Sequence, residues 1–270
     1  MPPPPAPTRA EEIAAFSGDP DFMASLARGL AVIRAFSGGG GGRSIAQLSA
    51  ATGIPRAAVR RCLYTLTQLG YVGSEDGRLF RLAPAVLSLG YAYVTSAPLA
   101  VLAQPLLDRV SGLVNEACSL ATLDGDEVLY IARSKAARRI MSVDLGVGSH
   151  LPAYCTSLGR VLLAGLDAAG LDGYFSRLTP IRHSKLTQTD PEALRQAIAT
   201  AADQDYAVVD QELEMGLTSI AVPVRNRSGR VVAAMNVGTQ TSRLSTADMT
   251  VKLLPHLSRA AWELGLALPA

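Results

Sequence analysis

The chain has 270 residues, 49% apolar, 5% aromatic and 18% charged, which is material for two modest cores and too few charges for a disordered chain. Its longest apolar stretches, such as Val231–Met235, fall far short of the ~20 residues a membrane span needs, so no membrane partner is expected. The formal net charge of +2 hides an asymmetry: residues 22–74 hold six arginines and no Asp or Glu, against a net −3 over residues 1–21 and −1 over residues 75–270. A focused positive field of this kind suits a polyanion. Residues 1–21, Pro-rich and then acidic, read as a disordered arm, and the lack of a basic patch followed by an apolar run places the expected chain in the cytoplasm. Met23–Phe36 reads as a helix with an apolar stripe of Leu26, Leu30 and Ile33, ended by the glycines Gly38–Gly42.

Ser44 stands as an N-cap before a two-turn helix, Ile45–Ala51. Thr52-Gly53-Ile54 makes a tight turn, Pro55 opens the next helix, and Gly70 stops it. Val59, Cys62, Leu63, Leu66 and Leu69 are spaced as the buried face of that second helix. This leaves Arg56, Ala57, Arg60, Arg61, Tyr64 and Gln68 outside, on the helix whose N-terminal half would enter the major groove of double-stranded DNA. Two short strands around Ser74-Glu75-Asp76-Gly77 read as a β-hairpin wing, with Arg78 and Arg81 facing phosphates or the minor groove. Arg43, Arg56, Ala57, Arg60, Arg61, Tyr64 and Arg78 form the candidate DNA-binding set. A helical hairpin without a ligand is the alternative, and the acid-free composition argues against it.

Pro84–Val94 reads as a linker helix, and Pro98 and Pro105 flank the start of a long helix ending near Asn115. Strands then follow at Ala117–Leu123, Glu127–Arg133 and Arg139–Asp144. Tyr154-Cys155-Thr156-Ser157 leads into a helix through Leu166, and further helices cover Asp167–Arg177 and Pro191–Gln204. Strands at Ala207–Asp210, Leu217–Val224 and Arg230–Val237 precede a closing helix from Thr246 to Leu266. Strands, then helices, then strands imply an antiparallel sheet flanked by helices, an α+β architecture.

These residues resemble a known family. Ile45-Ala46-Gln47-Leu48-Ser49, Gly53-Ile54-Pro55 and Gly70-Tyr71-Val72 are similar to the IclR family of bacterial transcription regulators, as are Tyr154–Ala164, Val209–Leu217 and Ser219–Val224. The stretches Arg138–Val143 and Leu151–Ser157 look most like its PcaR/PcaU/PobR branch. The resemblance implies a winged helix-turn-helix domain (22–82), a linker helix (83–96) and a GAF-like effector domain (97–270). It also implies a regulator of aromatic-acid catabolism; a homodimer, or a tetramer, is expected because reading two operator half-sites needs two reader domains. The ligand would be an aromatic acid resembling 4-hydroxybenzoate or protocatechuate, or β-ketoadipate.

The positions matching the family's pocket are Ser157, Leu158, Val209, Asp210, Leu217, Ser219, Asn236 and Gly238. Beside the resemblance, Tyr154 and Thr156 join the candidate set. Thr156 and Ser157 open a helix whose N–H groups suit a carboxylate, or serve simply as its cap. Ser219 and Asn236 alternate with apolar neighbours on strands and can present polar groups inward. Arg133 pairs with the carboxylate or is a surface charge; Asp210 and Glu212 contribute to the pocket or hold the loop before Gly216.

No enzyme is expected. A Cys155 nucleophile would need a base, and His150, in a loop, has nothing to fix it nearby. Three distant cysteines, Cys62, Cys118 and Cys155, and isolated histidines, His183 and His256, exclude a disulfide framework and a zinc site, and no cofactor is expected. A small-molecule-binding protein tethered non-specifically to nucleic acid is the alternative function.

Overall fold

The computed structural model describes residues 8–36, 41–96, 98–134 and 145–268. The chain divides into two compact units, Met1–Tyr93 and Val94–Ala270.

The first unit opens with α1 (Arg9–Ala14), where Thr8 and Glu11 cap each other's backbone. The expected disordered arm is therefore corrected over these residues. The capping box supplies helix-terminal hydrogen bonds, and Ala10 and Ile13 pack against the unit's core, which together outweigh the polar composition. Next come α2 (Ala24–Arg34), β1 (Arg43–Ser44), α3 (Ile45–Thr52) and α4 (Arg56–Gln68). Ser44 forms a capping box with Gln47 at the start of α3, and Gly53 ends it at φ 71°, a left-handed conformation that costs glycine little. Val32, Leu48, Ile54, Val59 and Leu63 form the centre of the core.

Two details of the α4 face differ from expectation. Leu69 is 62% exposed because the helix ends at Gln68 and Gly70 turns the chain away, and Cys62 is half-buried. The wing is β2 (Val72–Gly73) and β3 (Leu79–Leu82), joined by β1 in a sheet ordered β1-β3-β2. The strand β1 was not expected; nothing local marks a two-residue strand. A 3-10 turn, Pro84–Val86, leads to α5 (Leu87–Ser96), which runs across the division between the units.

The second unit begins with α6 (Pro98–Val114). Pro98 opens it, whereas Pro105 lies inside the helix instead of flanking its start; losing one backbone donor does not break a helix held by buried Ala103, Leu107 and Val110. There follow β4 (Ala117–Asp124), β5 (Glu127–Arg133), β6 (His150–Pro152), α7 (Ser157–Ala164), α8 (Ala168–Arg177) and α9 (Pro191–Gln204). The chain closes with β7 (Ala207–Asp210), β8 (Leu217–Arg225), β9 (Val231–Gln240), α10 (Thr246–Lys252) and α11 (Leu254–Ala267). The expected strand Arg139–Asp144 falls outside the described residues. His150 lies on a strand opposite Leu129, not in a loop, because β6 completes the edge beside β5. The single closing helix is two helices, broken at Leu253, with Pro255 in the first turn of the second, where its missing N–H is no loss.

Among the described residues of the second unit the strands form one antiparallel sheet, ordered β6-β5-β4-β9-β8-β7. Alternation along each strand separates its faces. Cys118, Leu120, Ile220, Val222, Met235 and Val237 pack with residues of α6 and α11. The opposite face is small where α7 crosses it: Ala121, Ala221 and Ala234 meet Leu158 and Val161. Close approach continues at Gly159, where an added Cβ would lie 2.0 Å from the Ala153 carbonyl oxygen.

Candidate functional site

The first candidate site is the outer face of α4. Burying Val59, Leu63 and Leu66 turns Arg56, Ala57, Arg60, Arg61 and Tyr64 outward, and all five are exposed. No acid lies in the first turn of α4, so its positive dipole end and the arginines act with the same sign. Arg61 also edges a groove between α2 and α4, so it stands at the flank of the face. Arg43 lies on β1 with its backbone opposite Phe80, which joins it to the wing.

Arg78 follows the wing turn, which Asp76 organises: its Oδ1 accepts the N–H groups of Arg78 and Leu79 at 2.8 and 2.9 Å. These backbone hydrogen bonds, with the one from Leu79 strongest, hold the Asp76 carboxyl below the usual carboxylate range. Burial raises the pKa of the Cys62 thiol, opposed by Arg28 and Arg61. That favours the packing role over thiolate chemistry.

The second candidate site is a cavity of about 50 Å³ in the second unit, on the sheet face beside α7. Strand register assembles it. Ser119 of β4 lies opposite Arg133 of β5 on one side and Asn236 of β9 on the other. Gly238 lies opposite Ser219, which in turn faces Val209 across the β7–β8 pair. These residues, with Leu217 and Thr156, line the cavity.

Arg133 donates from Nη1 to the Leu145 carbonyl at 2.7 Å, so its guanidinium is held at the cavity wall and is not a loose surface charge. Thr156 caps α7, its Oγ1 accepting from the Gly159 N–H at 3.2 Å. The amides of Ser157 and Leu158 belong to the first turn, where an α-helix supplies no partner. The wall thus offers a cation, hydroxyls and an amide among apolar side chains, which is the chemistry of a small organic anion site.

Other expected residues stand back from this wall. Ser157 is buried and its Oγ donates to Ser219 Oγ at 2.8 Å, so it reaches the cavity through Ser219. Leu158 is fully buried in the core beneath α7. Tyr154 turns its hydroxyl to Ile181, donating to the carbonyl at 2.6 Å and accepting from the N–H at 2.9 Å. Asp210 accepts from Thr218 Oγ1 at 2.5 Å. Glu212 takes the structural alternative: it forms a buried ion pair with Arg160 at 2.6 Å and accepts the Gln188 N–H at 3.0 Å.

Ser119, Tyr130 and Leu213 also line the cavity and were missed. Ser119 was within reach, because Ala117, Ser119 and Ala121 alternate with Cys118 and Leu120. Tyr130 and Leu213 carry no such local signal. Cys155 lines the cavity too, with its thiol pushed up to about 12 by burial and then by Glu212. A thiol held so far from ionisation is a poor nucleophile. The His150 ring contacts Asp124 at 2.8 Å. Among the described residues, no group of three or more His, Cys, Asp and Glu is arranged to hold a metal ion, and no single helix is long and apolar enough to cross a membrane.

Comparison with known proteins places these two sites in a family. Residues 25–76 match the IclR helix-turn-helix domain, and residues 91–265 match the bacterial transcriptional regulator IclR C-terminal domain. The chain is 52% identical over 264 residues to the Pca regulon regulatory protein of Pseudomonas putida, covering 98% of this chain and 90% of that one. A crystal structure of a transcriptional regulator from Rhodococcus sp. RHA1 superposes with TM-score 0.78 at 43% identity, over 92% of this chain and 98% of that one. An IclR homologue from Microbacterium hydrocarbonoxydans, solved in complex with 4-hydroxybenzoate, superposes with TM-score 0.75 at 25% identity, over 90% of this chain and 98% of that one. A basic helix-turn-helix unit and a sheet-borne cavity unit, each matched by its family model, show that the chain belongs to the IclR family of bacterial transcriptional regulators.

Proposed function

We propose that the protein is a ligand-responsive regulator of aromatic-acid catabolism, which binds operator DNA through its first unit and a small aromatic acid or β-ketoadipate in its second. The observation that carries the ligand half is the row of Arg133, Ser119 and Asn236 across neighbouring strands, facing a cavity beside the start of α7. A carboxylate there meets the Arg133 guanidinium or the helix amides, and the remaining hydroxyls and amide receive a second polar group. The relative solved with 4-hydroxybenzoate supports an aromatic acid as occupant. Tyr154, Ser157, Leu158 and Asp210 then act as the support behind the wall.

In the DNA half, Arg56, Ala57, Arg60, Arg61 and Tyr64 meet the major groove, while Arg43 and Arg78 contact the backbone. Reading two half-sites needs a homodimer. Operator binding places the protein in the cytoplasm, and regulation, not catalysis, is its task. Ligand binding alters DNA binding only if the ligand favours one arrangement of the dimer over another, with α5 as the connecting element.

Footprinting upstream of an aromatic-degradation operon tests the DNA half: wild type protects a site and Arg60→Ala/Arg61→Ala does not. Protection retained by the double variant rejects this recognition helix. A melting-shift panel of hydroxybenzoates, protocatechuate and β-ketoadipate tests the ligand half, with Ser157→Leu expected to abolish the shift.

A further inference from the structure

Strand β5 changes face partway along. Successive residues of a strand point to opposite sides of the sheet, so Tyr130 and Arg133, three apart, should face away from each other. The register between β4 and β5 shifts between Leu120 and Ala121: Arg133 lies opposite Ser119, Ala132 opposite Leu120, and Tyr130 opposite Ala121. Ile131 is thus the extra residue of a β-bulge, and Ile131 and Ala132 both pack on the side of α6 and α11. Tyr130 is thereby turned to the α7 side, and it lines the same cavity of about 50 Å³ as Arg133. A bulge disrupts the ladder locally, and such bulges recur beside binding sites, where they re-aim a side chain.

The bulge delivers a hydroxyl without a partner. Tyr130 is 5% exposed, and no hydrogen bond among the described residues involves its Oη. Tyr154, by contrast, has its hydroxyl engaged twice by Ile181. A buried hydroxyl left unpaired is costly, and a bound molecule would complete it. Burial pushes the Tyr130 phenol up to about 12, with the nearby Arg133 charge acting the other way, so it remains a neutral donor through the physiological range. Among the described residues Arg133 is the one cation on the cavity wall. The α7 end is poorer in free donors. Only Cys155 and Thr156 reach the wall there, and Thr156 Oγ1 is already engaged with the Gly159 N–H and the Pro152 carbonyl. Asn236 stands across the cavity on β9, two strand spacings from β5, or roughly 10 Å. That span suits an acid whose polar groups sit at opposite ends.

We propose that Tyr130 Oη and the Arg133 guanidinium, brought to one side of the sheet by the bulge at Ile131, together grip the ligand's carboxylate, so that the ligand lies with its acid end on β5 and its second polar group towards Asn236. This clamp rests on the ligand-binding reading above.

The test is full-length Tyr130→Phe, titrated calorimetrically with 4-hydroxybenzoate, protocatechuate and β-ketoadipate. Whichever of these wild type binds, the variant should bind about ten-fold more weakly or worse, because a hydrogen bond to a charged group is lost. The melting temperature without ligand should hold or rise, since the hydroxyl has no partner to lose. Arg133→Lys and the double variant complete a cycle. Two groups on one carboxylate act as a unit, so the loss in the double variant should fall short of the product of the single losses. Unchanged affinity in Tyr130→Phe overturns the clamp, and a lowered melting temperature beside it marks the tyrosine as structural. Losses that simply multiply also overturn it, because they put Tyr130 at the other end of the ligand. If wild type binds none of the three acids, the ligand reading itself falls and the clamp with it.

Discussion

The two units place their chemistry in opposite ways. The reader displays it: the α4 arginines are exposed, and the core beneath them only aims the helix. The second unit hides it: Ser119, Ser219 and Asn236 belong to strands far apart in sequence and meet on one sheet face beneath α7. A surface site can lose a side chain with little effect on folding, while a cavity wall shares atoms with the core that supports it. Changes in the reader should therefore uncouple binding from stability, and changes in the second unit should not.

The largest break in that comparison is expected at the buried Arg160–Glu212 pair. Arg160→Ala strands the Glu212 carboxylate, which keeps the Gln188 N–H and loses its ion partner. Unfolding in urea should show about 3–5 kcal/mol lost from the second unit. Far-ultraviolet melting of the first unit should stay at its wild-type temperature; a shared shift would mean the units do not unfold separately. Next in size is Leu63→Ala in the reader core, where Leu63 is 1% exposed and should cost about 2–5 kcal/mol by cavity formation. That loss should depress DNA affinity only through the folded fraction.

Arg56→Ala, by contrast, should cost about 1–3 kcal/mol of operator binding, measured by anisotropy, with no change in melting. A melting shift as large as that of Leu63→Ala would show that the side chain is structural. Within the cavity, Ser219→Ala removes the 2.8 Å hydrogen bond with Ser157 and should cost about 0.5–1.5 kcal/mol of stability while reducing the ligand-induced melting shift.

The smallest effect belongs to the wing. The Asp76 carboxyl is held below its usual range by backbone hydrogen bonds from Leu79 and Arg78, so its contribution is present above the unfolded value of about 3.9 and is lost as pH falls through the lower folded value. A nuclear magnetic resonance titration should find Asp76 still mostly ionised at its unfolded value of about 3.9, and Asp76→Ala should remove any acid sensitivity of the wing amides.

Much of the reader was legible from the chain. Ser44 and Gln47 cap α3, Gly53 takes the left-handed turn, and the spacing of Val59, Leu63 and Leu66 sets which face of α4 is outward. Its misreadings came from the ends of elements: Leu69 keeps the helical spacing but lies beyond the last helical residue. The arm was misread for a related reason, since composition alone outvoted a Thr8–Glu11 capping box that was present in the residues.

In the second unit β4, β5, β7, β8, β9 and most helices follow from alternation and turn residues, whereas β6 does not, and the cavity wall follows only in half. Ser219 and Asn236 could be placed on an inward face. The positions of Tyr154 and Asp210 off the wall depend on Ile181 and Thr218, whose roles nothing local declares.

From the amino acids alone follow a cationic helix-turn-helix, a wing and a following α+β unit, because caps, glycine turns, apolar spacing and charge all act over a few residues. Tertiary structure alone decides that Arg133, Ser119 and Asn236 form one row, that Arg160 neutralises Glu212, and that an acidic helix rests on Gly53. Those contacts join residues distant along the chain, and only strand register and close packing determine which of them meet.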